Sequence, residues 1–229
     1  MKSSMWKTIL DLIFPINCLG CGQPGQFICF SCFKQMPLNQ KPGLKSNSQS
    51  NLNNLIIASY YEHPLIKEAI HQYKYNFIKD LAEPLAKLMI KKLDVIASEA
   101  KQSRGKTILI PIPLHPKRLR WRGFNQSLLL AEKISQALNL PMIDNLLIRT
   151  KHTLPQVKLQ NSLARQQNIR QAFALNSNRS NLESNLDFSN KTLILIDDIS
   201  TTGATLEEAA QTLKPLNPKQ IWGLVIAQG

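Results

Sequence analysis

The stretch LILIDDISTTGAT, residues 193–205, places two adjacent carboxylates directly after an apolar run. Four consecutive aliphatic residues predict a buried strand, and Asp197 and Asp198 would lie at its carboxyl end. Hydroxyl side chains and a glycine follow, namely Ser200, Thr201, Thr202, Gly203 and Thr205. The next segment, ATLEEAAQTLK, has helical spacing. Polar side chains between a strand and a helix are typical of a ligand-binding edge in an α/β sheet.

The start of this helix suits one phosphate group. Its free N–H groups and its dipole favour an anion, and Gly203 lets the backbone approach a ligand closely. Carboxylates would repel that phosphate, so Asp197 and Asp198 need another partner: two sugar hydroxyls, or a sugar held by Mg²⁺. Because a ribose 5-phosphate has both parts side by side, the segment predicts a site for such a ligand.

Two simpler interpretations of these residues stay open. Thr205 and Glu208 have the spacing of a capping box, and adjacent aspartates also occur in ordinary turns. Capping explains Thr205 but not the acids and the other hydroxyls. The sequence contains neither G-x-x-x-x-G-K-[ST] nor G-x-G-x-x-G, which excludes the two commonest nucleotide-binding loops.

Strand-like and helix-like segments alternate along the chain. Apolar runs predict strands at 55–61, 107–113, 193–197 and 221–227, with a weaker strand at 142–149; helical spacing predicts helices from 64, over 80–96, 124–138 and 159–173, and from 204. The strands are continuous apolar runs, which favours an α/β fold with a parallel sheet and helices on both faces.

Composition changes divide the chain into parts. Residues 1–38 are predicted to form an N-terminal helix and a cysteine ribbon, 39–54 a linker, and 55–229 the main domain. The segment 95–106, VIASEAKQSRGK, is interpreted as an insert that resembles a peptide encoded by a mobile palindromic repeat. A loop absorbs such an insert at small entropic cost. The polar stretch 176–190 predicts a turn or disorder.

The chain is strongly basic, with 28 Lys/Arg against 15 Asp/Glu and a formal net charge of +13. The charge is concentrated in 101–170, which holds thirteen basic residues and only two acids, Glu132 and Asp144. This balance favours an anionic partner, such as a phosphate ligand, nucleic acid or acidic lipid. Lys133 and Lys158 are better explained as solvated surface lysines.

All four cysteines lie within CLGCGQPGQFICFSC and form two C-x₂-C pairs, from Cys18, Cys21, Cys29 and Cys32. Two intervening residues let both thiolates of a pair reach one ion from a tight turn, so we expect a structural Zn²⁺ site with four thiolate ligands. The metal would supply folding energy to a segment too short for its own core. The alternatives are two disulfides or a redox pair.

The N-terminus, MKSSMWKTILDLIFPINC, resembles a signal peptide only in part, because Asp11 interrupts its apolar run and no small-residue cleavage site follows. No stretch approaches the roughly 20 apolar residues of a membrane helix. We expect an amphipathic helix and a cytoplasmic protein that is not an integral membrane protein. That location disagrees with disulfides.

LILIDDISTTGAT also resembles the phosphoribosyl-pyrophosphate (PRPP) motif of type I phosphoribosyltransferases. The resemblance implies that fold, with Mg²⁺ and PRPP as ligands. It implies that Asp197 and Asp198 hold the ribose 2′- and 3′-hydroxyls. The loop that would hold the 5-phosphate consists of Thr201, Thr202, Gly203, Ala204 and Thr205, preceded by Ser200.

Three more segments are similar to the ComF family of bacterial competence-protein homologues: PIPLHPKRLRWRGFNQSLLLA (111–131), LPQVKLQNSLARQQNIRQAF (154–173) and YKYN (73–76). A zinc ribbon ahead of a phosphoribosyltransferase-like domain is that family's layout. The departures are a shorter gap within the ribbon, the 95–106 insert and the polar 176–190 stretch. The resemblance implies a role in natural transformation, with single-stranded DNA handled at the inner face of the membrane beside other competence proteins.

The basic segment PLHPKRLRWRGF follows a strand, so its charges would face the ligand crevice. Phosphoribosyl transfer needs its pyrophosphate leaving group neutralised by Mg²⁺, N–H groups and Arg or Lys. We therefore expect Arg118 and Arg120 to bind ligand, and Arg165 to close over it. Arg122, with Asp197 and Asp198, completes the candidate catalytic set. The alternative for these arginines is a surface coat.

The same segment suits a second function. Trp121 and Phe124 alternate with the cations, which is typical of a single-strand platform, although Phe124 suits a core position equally. Two hypotheses follow. The chain is an enzyme that moves a phosphoribosyl group from PRPP to an acceptor, or a DNA-handling protein that keeps a PRPP-type site for regulation or as a relic. No residue identifies the acceptor.

Overall fold

The computed structural model describes residues 16–41, 44–45, 50–100, 106–151, 169–177 and 186–229 of the 229-residue chain, without the side chains of 44–45 and 94–100. The predicted N-terminal helix, Arg165 and most of the segment 154–173 lie outside the described residues. Residues 101–105 of the predicted insert and 178–185 of the polar stretch also lie outside them.

Seven strands occur in the described residues: β1 (Leu44–Lys45), β2 (Asn54–Tyr60), β3 (Thr107–Pro111), β4 (Leu147–Arg149), β5 (Phe173–Leu175), β6 (Thr192–Ser200) and β7 (Gln220–Gln228). The central sheet has the order β1-β2-β7-β6-β3. β1 is antiparallel to β2, and the other neighbours are parallel. β4 and β5 form a separate antiparallel pair.

The described α-helices are α1 (Phe30–Gln35), α2 (Pro64–Tyr75), α3 (Ala82–Ala100), α4 (Pro116–Arg122), α5 (Gln126–Leu138) and α6 (Ala204–Leu213). Residues of α2, α3 and α5 share a core with one face of the sheet, and α6 shares a core with the other. The predicted parallel sheet with helices on both faces is confirmed.

Strand β6 shows how the sheet separates the two cores. Ile194 and Ile196 pack on the side of α2, α3 and α5, whereas Leu193 and Leu195 pack on the side of α6. All four side chains are at most 5% exposed. A strand buried on both faces must be apolar at every position, which explains the continuous run LILI.

The N-terminal ribbon shares the core on the α2 side instead of forming its own. Cys18, Cys29 and Cys32 belong to the same buried cluster as Leu65 of α2. The approach is close at Gly20, where a Cβ would lie 2.7 Å from the Cys32 Sγ and 3.4 Å from the Leu65 Cδ2. Glycine is therefore required there to let the ribbon contact α2.

The segment after the ribbon is held by hydrogen bonds to the main domain. The Asn39 N–H donates to the Ala58 carbonyl of β2 at 2.9 Å. The buried Lys92 ammonium of α3 donates to the carbonyls of Asn39 and Lys41, at 2.6 and 2.8 Å. The predicted linker 39–54 thus starts with ordered contacts and contains β1, while its role as a domain boundary stays a prediction.

The spacing of the sequence did not predict one helix and placed the end of another too late. The basic segment after β3 forms α4 because His115 caps its start, Pro116 suits its first turn, and Gly123 ends it with a left-handed φ of 75°. The predicted helix over 159–173 does not include Phe173, which lies in β5 opposite Arg149. Long-range pairing decides that strand, and local spacing does not reveal it.

Candidate functional site

The two acids are held by donors from three elements. The Asp197 Oδ1 accepts hydrogen bonds from the Ser127 hydroxyl and the Asp198 N–H, each at 2.9 Å. The Asp198 Oδ1 accepts the Ile199 N–H at 2.7 Å and lies 2.9 Å from the Lys74 ammonium. Among the described residues, no donor bonds to either Oδ2 atom. These two oxygens can therefore accept hydrogen bonds from a ligand.

Burial and charge shift the pKa values of this group. Burial, and then the neighbouring Asp198 carboxylate, raise the pKa of Asp197 to about 6, against the opposing effects of Lys74, the Asp198 N–H and Ser127. Burial alone would lower the pKa of Lys74, but the Asp198 and Asp197 carboxylates outweigh it and raise that pKa above its ordinary value. The ammonium therefore stays charged at neutral pH.

The loop of residues 201–205, called the hydroxyl loop here, follows the acids and leads into α6. Gly203 is the N-cap of α6 with a φ of 79°, in the left-handed region that favours glycine. Thr201 and Thr205 line a cavity together with the acids. Thr202 is exposed, and the Ala204 side chain is buried in the core, so neither side chain lines the cavity.

The capping-box alternative for Thr205 does not form. Thr205 lies inside α6, one residue after its start, because Gly203 takes the N-cap position. The Glu208 carboxylate instead accepts the Gln171 N–H at 2.6 Å. Ser200, just before the loop, is 4% exposed, and its hydroxyl lacks a partner among the described residues.

One cavity of about 370 Å³ brings the acids and the hydroxyl loop together with three arginines. Arg118 and Arg122 come from α4, and Arg149 comes from the end of β4. Burial and then the charge of Arg118 lower the pKa of Arg149 to about 10, although Asp197 opposes this. Like charges gathered around one cavity favour a polyanionic ligand.

Two buried donors in the cavity wall support the presence of a ligand with oxygen acceptors. The Arg122 Nε and the Gln126 Nε2 have no acceptor within the described part of the chain. The side chains are fixed, since the Arg122 Nη1 donates to the Gln126 Oε1 at 2.9 Å and Gln126 is 1% exposed. Buried donors are costly unless they are paired, so phosphate oxygens fit this wall.

Arg120 and Arg165 are the two predicted ligand-binding arginines that have not yet been placed. The Arg120 side chain is exposed and does not line this cavity, and Arg165 lies outside the described residues. Sequence reasoning missed Lys74, Ser127 and Arg149. Lys74 and Ser127 lie within the segments YKYN and FNQS that carried the family resemblance, so a signal was present. Arg149 follows a weak strand pattern that gives no such signal.

The four cysteines form a candidate metal centre. Their Sγ atoms all lie within 4.8 Å of one another, and none forms a disulfide. The Sγ atoms of Cys21 and Cys29 are 3.6 Å apart. Sulfurs bound to tetrahedral zinc with bonds of about 2.3 Å lie about 3.8 Å apart, so the donor set fits a metal ion such as zinc.

Backbone donors favour ionisation of one of these thiols. Burial alone would raise the pKa of Cys18, but N–H groups of Cys29, Gly20 and Cys21 outweigh it and lower that pKa to about 6. The Cys29 N–H lies 3.3 Å from the Cys18 Sγ. The thiolate is the form that binds a metal, so Cys18 is prepared for one, whereas the side-chain contact with Cys29 raises the pKa of Cys32 to about 12.

Within the described ranges, no helix is both long and apolar enough to cross a bilayer.

Comparison with known proteins agrees with this geometry. The phosphoribosyl transferase domain family matches residues 125–228, which include the acids and the hydroxyl loop. Competence protein F of Haemophilus influenzae is 30% identical over 215 residues, which cover 92% of this chain and 84% of that protein. DNA utilization protein YhgH of Escherichia coli is 29% identical, covering 86% and 77%. Competence protein ComFC of Bacillus subtilis is 29% identical, covering 67% and 55%.

The raised pKa of Asp197 predicts a pH-dependent contribution to stability. A carboxyl group in an unfolded chain titrates near pH ~3.9, so the folded state holds this proton more tightly. The stabilisation is fully present below about pH 4 and is lost as pH rises through the folded pKa of about 6. Relative to Asp197→Asn, wild type should lose about 1–2 kcal/mol of unfolding free energy between pH 4 and pH 7, measured in urea.

The exposed Asp144→Asn is the control. An equal difference at both pH values would contradict the assignment.

Proposed function

Because the chain belongs to the ComF family of competence proteins with a phosphoribosyltransferase-like domain, we propose that its cavity binds PRPP and transfers or holds the phosphoribosyl group. One observation carries this proposal. The same cavity of about 370 Å³ is lined by both acids, by Thr201 and Thr205 of the hydroxyl loop, and by an arginine wall that consists of Arg118, Arg122 and Arg149.

Each part of PRPP has a matching part of the cavity. The hydroxyls of Thr201 and Thr205 and the start of α6 suit the 5-phosphate. The Oδ2 atoms of Asp197 and Asp198 suit the two ribose hydroxyls, which would donate to them. The arginine wall suits the pyrophosphate. The pyrophosphate oxygens would also accept hydrogen bonds from the buried Gln126 Nε2 and Arg122 Nε.

The arginine wall also suits the chemistry of transfer. An acceptor would form a bond to the anomeric carbon with its own electron pair, while the bond from that carbon to pyrophosphate breaks. The bonding electrons leave with the pyrophosphate. Arg122, held in place by Gln126, would stabilise the charge that develops on it. When bound to the pyrophosphate, Mg²⁺ supplies further charge neutralisation.

Calorimetric titration with PRPP and Mg²⁺ tests the site. Wild type should bind PRPP, and Asp198→Asn should bind it at least tenfold more weakly, since the variant replaces a carboxylate acceptor of the ribose hydroxyls. Asp144→Asn, which changes an exposed acid, is the matched control. Equal affinity of wild type and Asp198→Asn, or no binding by folded wild type, would reject the proposal.

We also propose that the cysteine cluster holds one structural Zn²⁺. Removal by a chelator, or Cys18→Ser, should lower the melting temperature and first expose the ribbon, because its cysteines are part of the α2-side core. Metal analysis and hydrogen exchange measure both effects. Ser31→Ala, between two of the ligands, is the matched control. Purified protein that lacks zinc and is indifferent to the chelator would exclude this role.

A second candidate function, single-stranded DNA handling, is supported by the surface of α4. Trp121 is 64% exposed, and the Arg122 Cζ lies 5.9 Å from its ring centroid. Arg120 and Lys117 are exposed on the same helix. Phe124 is 7% exposed and packs against Tyr73 with ring centroids 5.8 Å apart, so it belongs to the core and not to a base-stacking platform. A cytoplasmic location near the inner membrane, beside competence proteins, would accompany this function.

Fluorescence anisotropy with a labelled oligothymidylate tests DNA binding. Affinity should fall steeply with salt, and Trp121→Ala with Arg120→Ala should weaken binding about tenfold or more, because stacking contributes about 1–3 kcal/mol per base. Lys219→Ala, a cation distant in the chain from α4, is the control. Binding that is absent, or that ignores both salt and the α4 substitutions, would remove this candidate.

A further inference from the structure

The acid pair has a cation of its own, supplied by α2. The Lys74 ammonium lies 2.9 Å from the Asp198 Oδ1, and the two side chains are 20% and 8% exposed. Lys74 lies in the last turn of α2, next to the fully buried Tyr73. The Tyr73 hydroxyl donates to the Gln126 carbonyl at 2.8 Å, which fixes this end of α2 against α5. The ion pair is therefore built into the packing of two helices.

This contact changes what the acids can bind. Free Mg²⁺ or Mn²⁺ needs several oxygen ligands, and a cation placed at Asp198 would lie close to the charge of Lys74. Arg118, Arg122 and Arg149 line the same cavity, so four cationic side chains of the lining face two carboxylates. The cavity thus carries excess positive charge, which attracts polyanions and repels free divalent cations.

We propose that Lys74 is a positioning residue that reserves the acid pair for ligand hydroxyls and admits a divalent cation only together with a polyphosphate. The negative charge of the polyphosphate would outweigh the positive charge of the arginine wall. The divalent cation would therefore enter the cavity as a complex with the polyphosphate. The identification of this polyphosphate as the pyrophosphate group of PRPP rests on the proposed function. Exclusion of the free cation rests on the Lys74 contact and the charges of the lining.

Titration with Mn²⁺, followed by electron paramagnetic resonance of the free ion, tests this on the full-length, zinc-loaded protein. Wild type and Lys74→Arg should not bind Mn²⁺ alone, because both keep a cation beside Asp198. Lys74→Met should gain one Mn²⁺ site, with an affinity at least tenfold above the weakest binding that the titration of wild type would detect. The double variant with Asp198→Asn should lose this gain, which would locate the ion at the acid pair. With inorganic pyrophosphate present, wild type should bind Mn²⁺, measured by equilibrium dialysis against a protein-free sample with the same pyrophosphate because pyrophosphate alone also binds the ion.

Two outcomes would overturn the proposal. One is binding of Mn²⁺ alone by wild type that disappears in Asp198→Asn, and this measurement does not depend on the folding of any Lys74 variant. The other is a folded Lys74→Met, judged by circular dichroism, that gains no Mn²⁺ affinity. If PRPP fails to bind while the Mn²⁺ results hold, the proposed function is rejected and the role of Lys74 stands.

Discussion

The placement of two adjacent carboxylates on an inner strand, with Asp198 buried and Asp197 half-buried, is the constraint on which the rest of this structure depends. The sheet is apolar on both faces around β6, and charges in such a place are costly unless they are paired. The compensation comes from α2 through Lys74, from α5 through Ser127, and from the backbone of β6 itself. Helices that cover the sheet thus also supply an ion pair and a hydrogen bond to its acids.

The same arrangement explains why the cavity combines opposite charges. Asp197 lines the same cavity as Arg118 and Arg149, and its charge opposes the effect of Arg118 on the pKa of Arg149. The small sheet of β4 and β5 carries Arg149 and orders its guanidinium over the Phe173 ring, at 5.3 Å from the centroid. The β4–β5 pair, which packs Leu147 and Phe173 into the core on the α6 side, therefore also contributes directly to the site.

The features that sequence could predict are those set by local spacing. The strand LILI, the acids that follow it and the cysteine pairs depend on residues a few positions apart, and the structure brings each group together. Lys74 and Arg149 could not be assigned in this way, because distant segments carry them to the acids. Helix α4 shows the same limit. Arg118 and Arg122 are four residues apart and share its cavity face, whereas Arg120 lies on another face, a distinction that exists only once the segment is helical.

The ribbon and α2 share one buried core, so removal of the ribbon would uncover apolar side chains of α2. Gly20 lies against Leu65, the Phe33 ring lies 4.4 Å from the Lys91 ammonium, and Asn39 bonds to the backbone of β2. A chain shortened to the phosphoribosyltransferase-like domain would expose this apolar surface and the edge of β2 to water. Such a fragment would be prone to aggregation, so genetic dissection of this protein should rely on point substitutions and not on domain deletion.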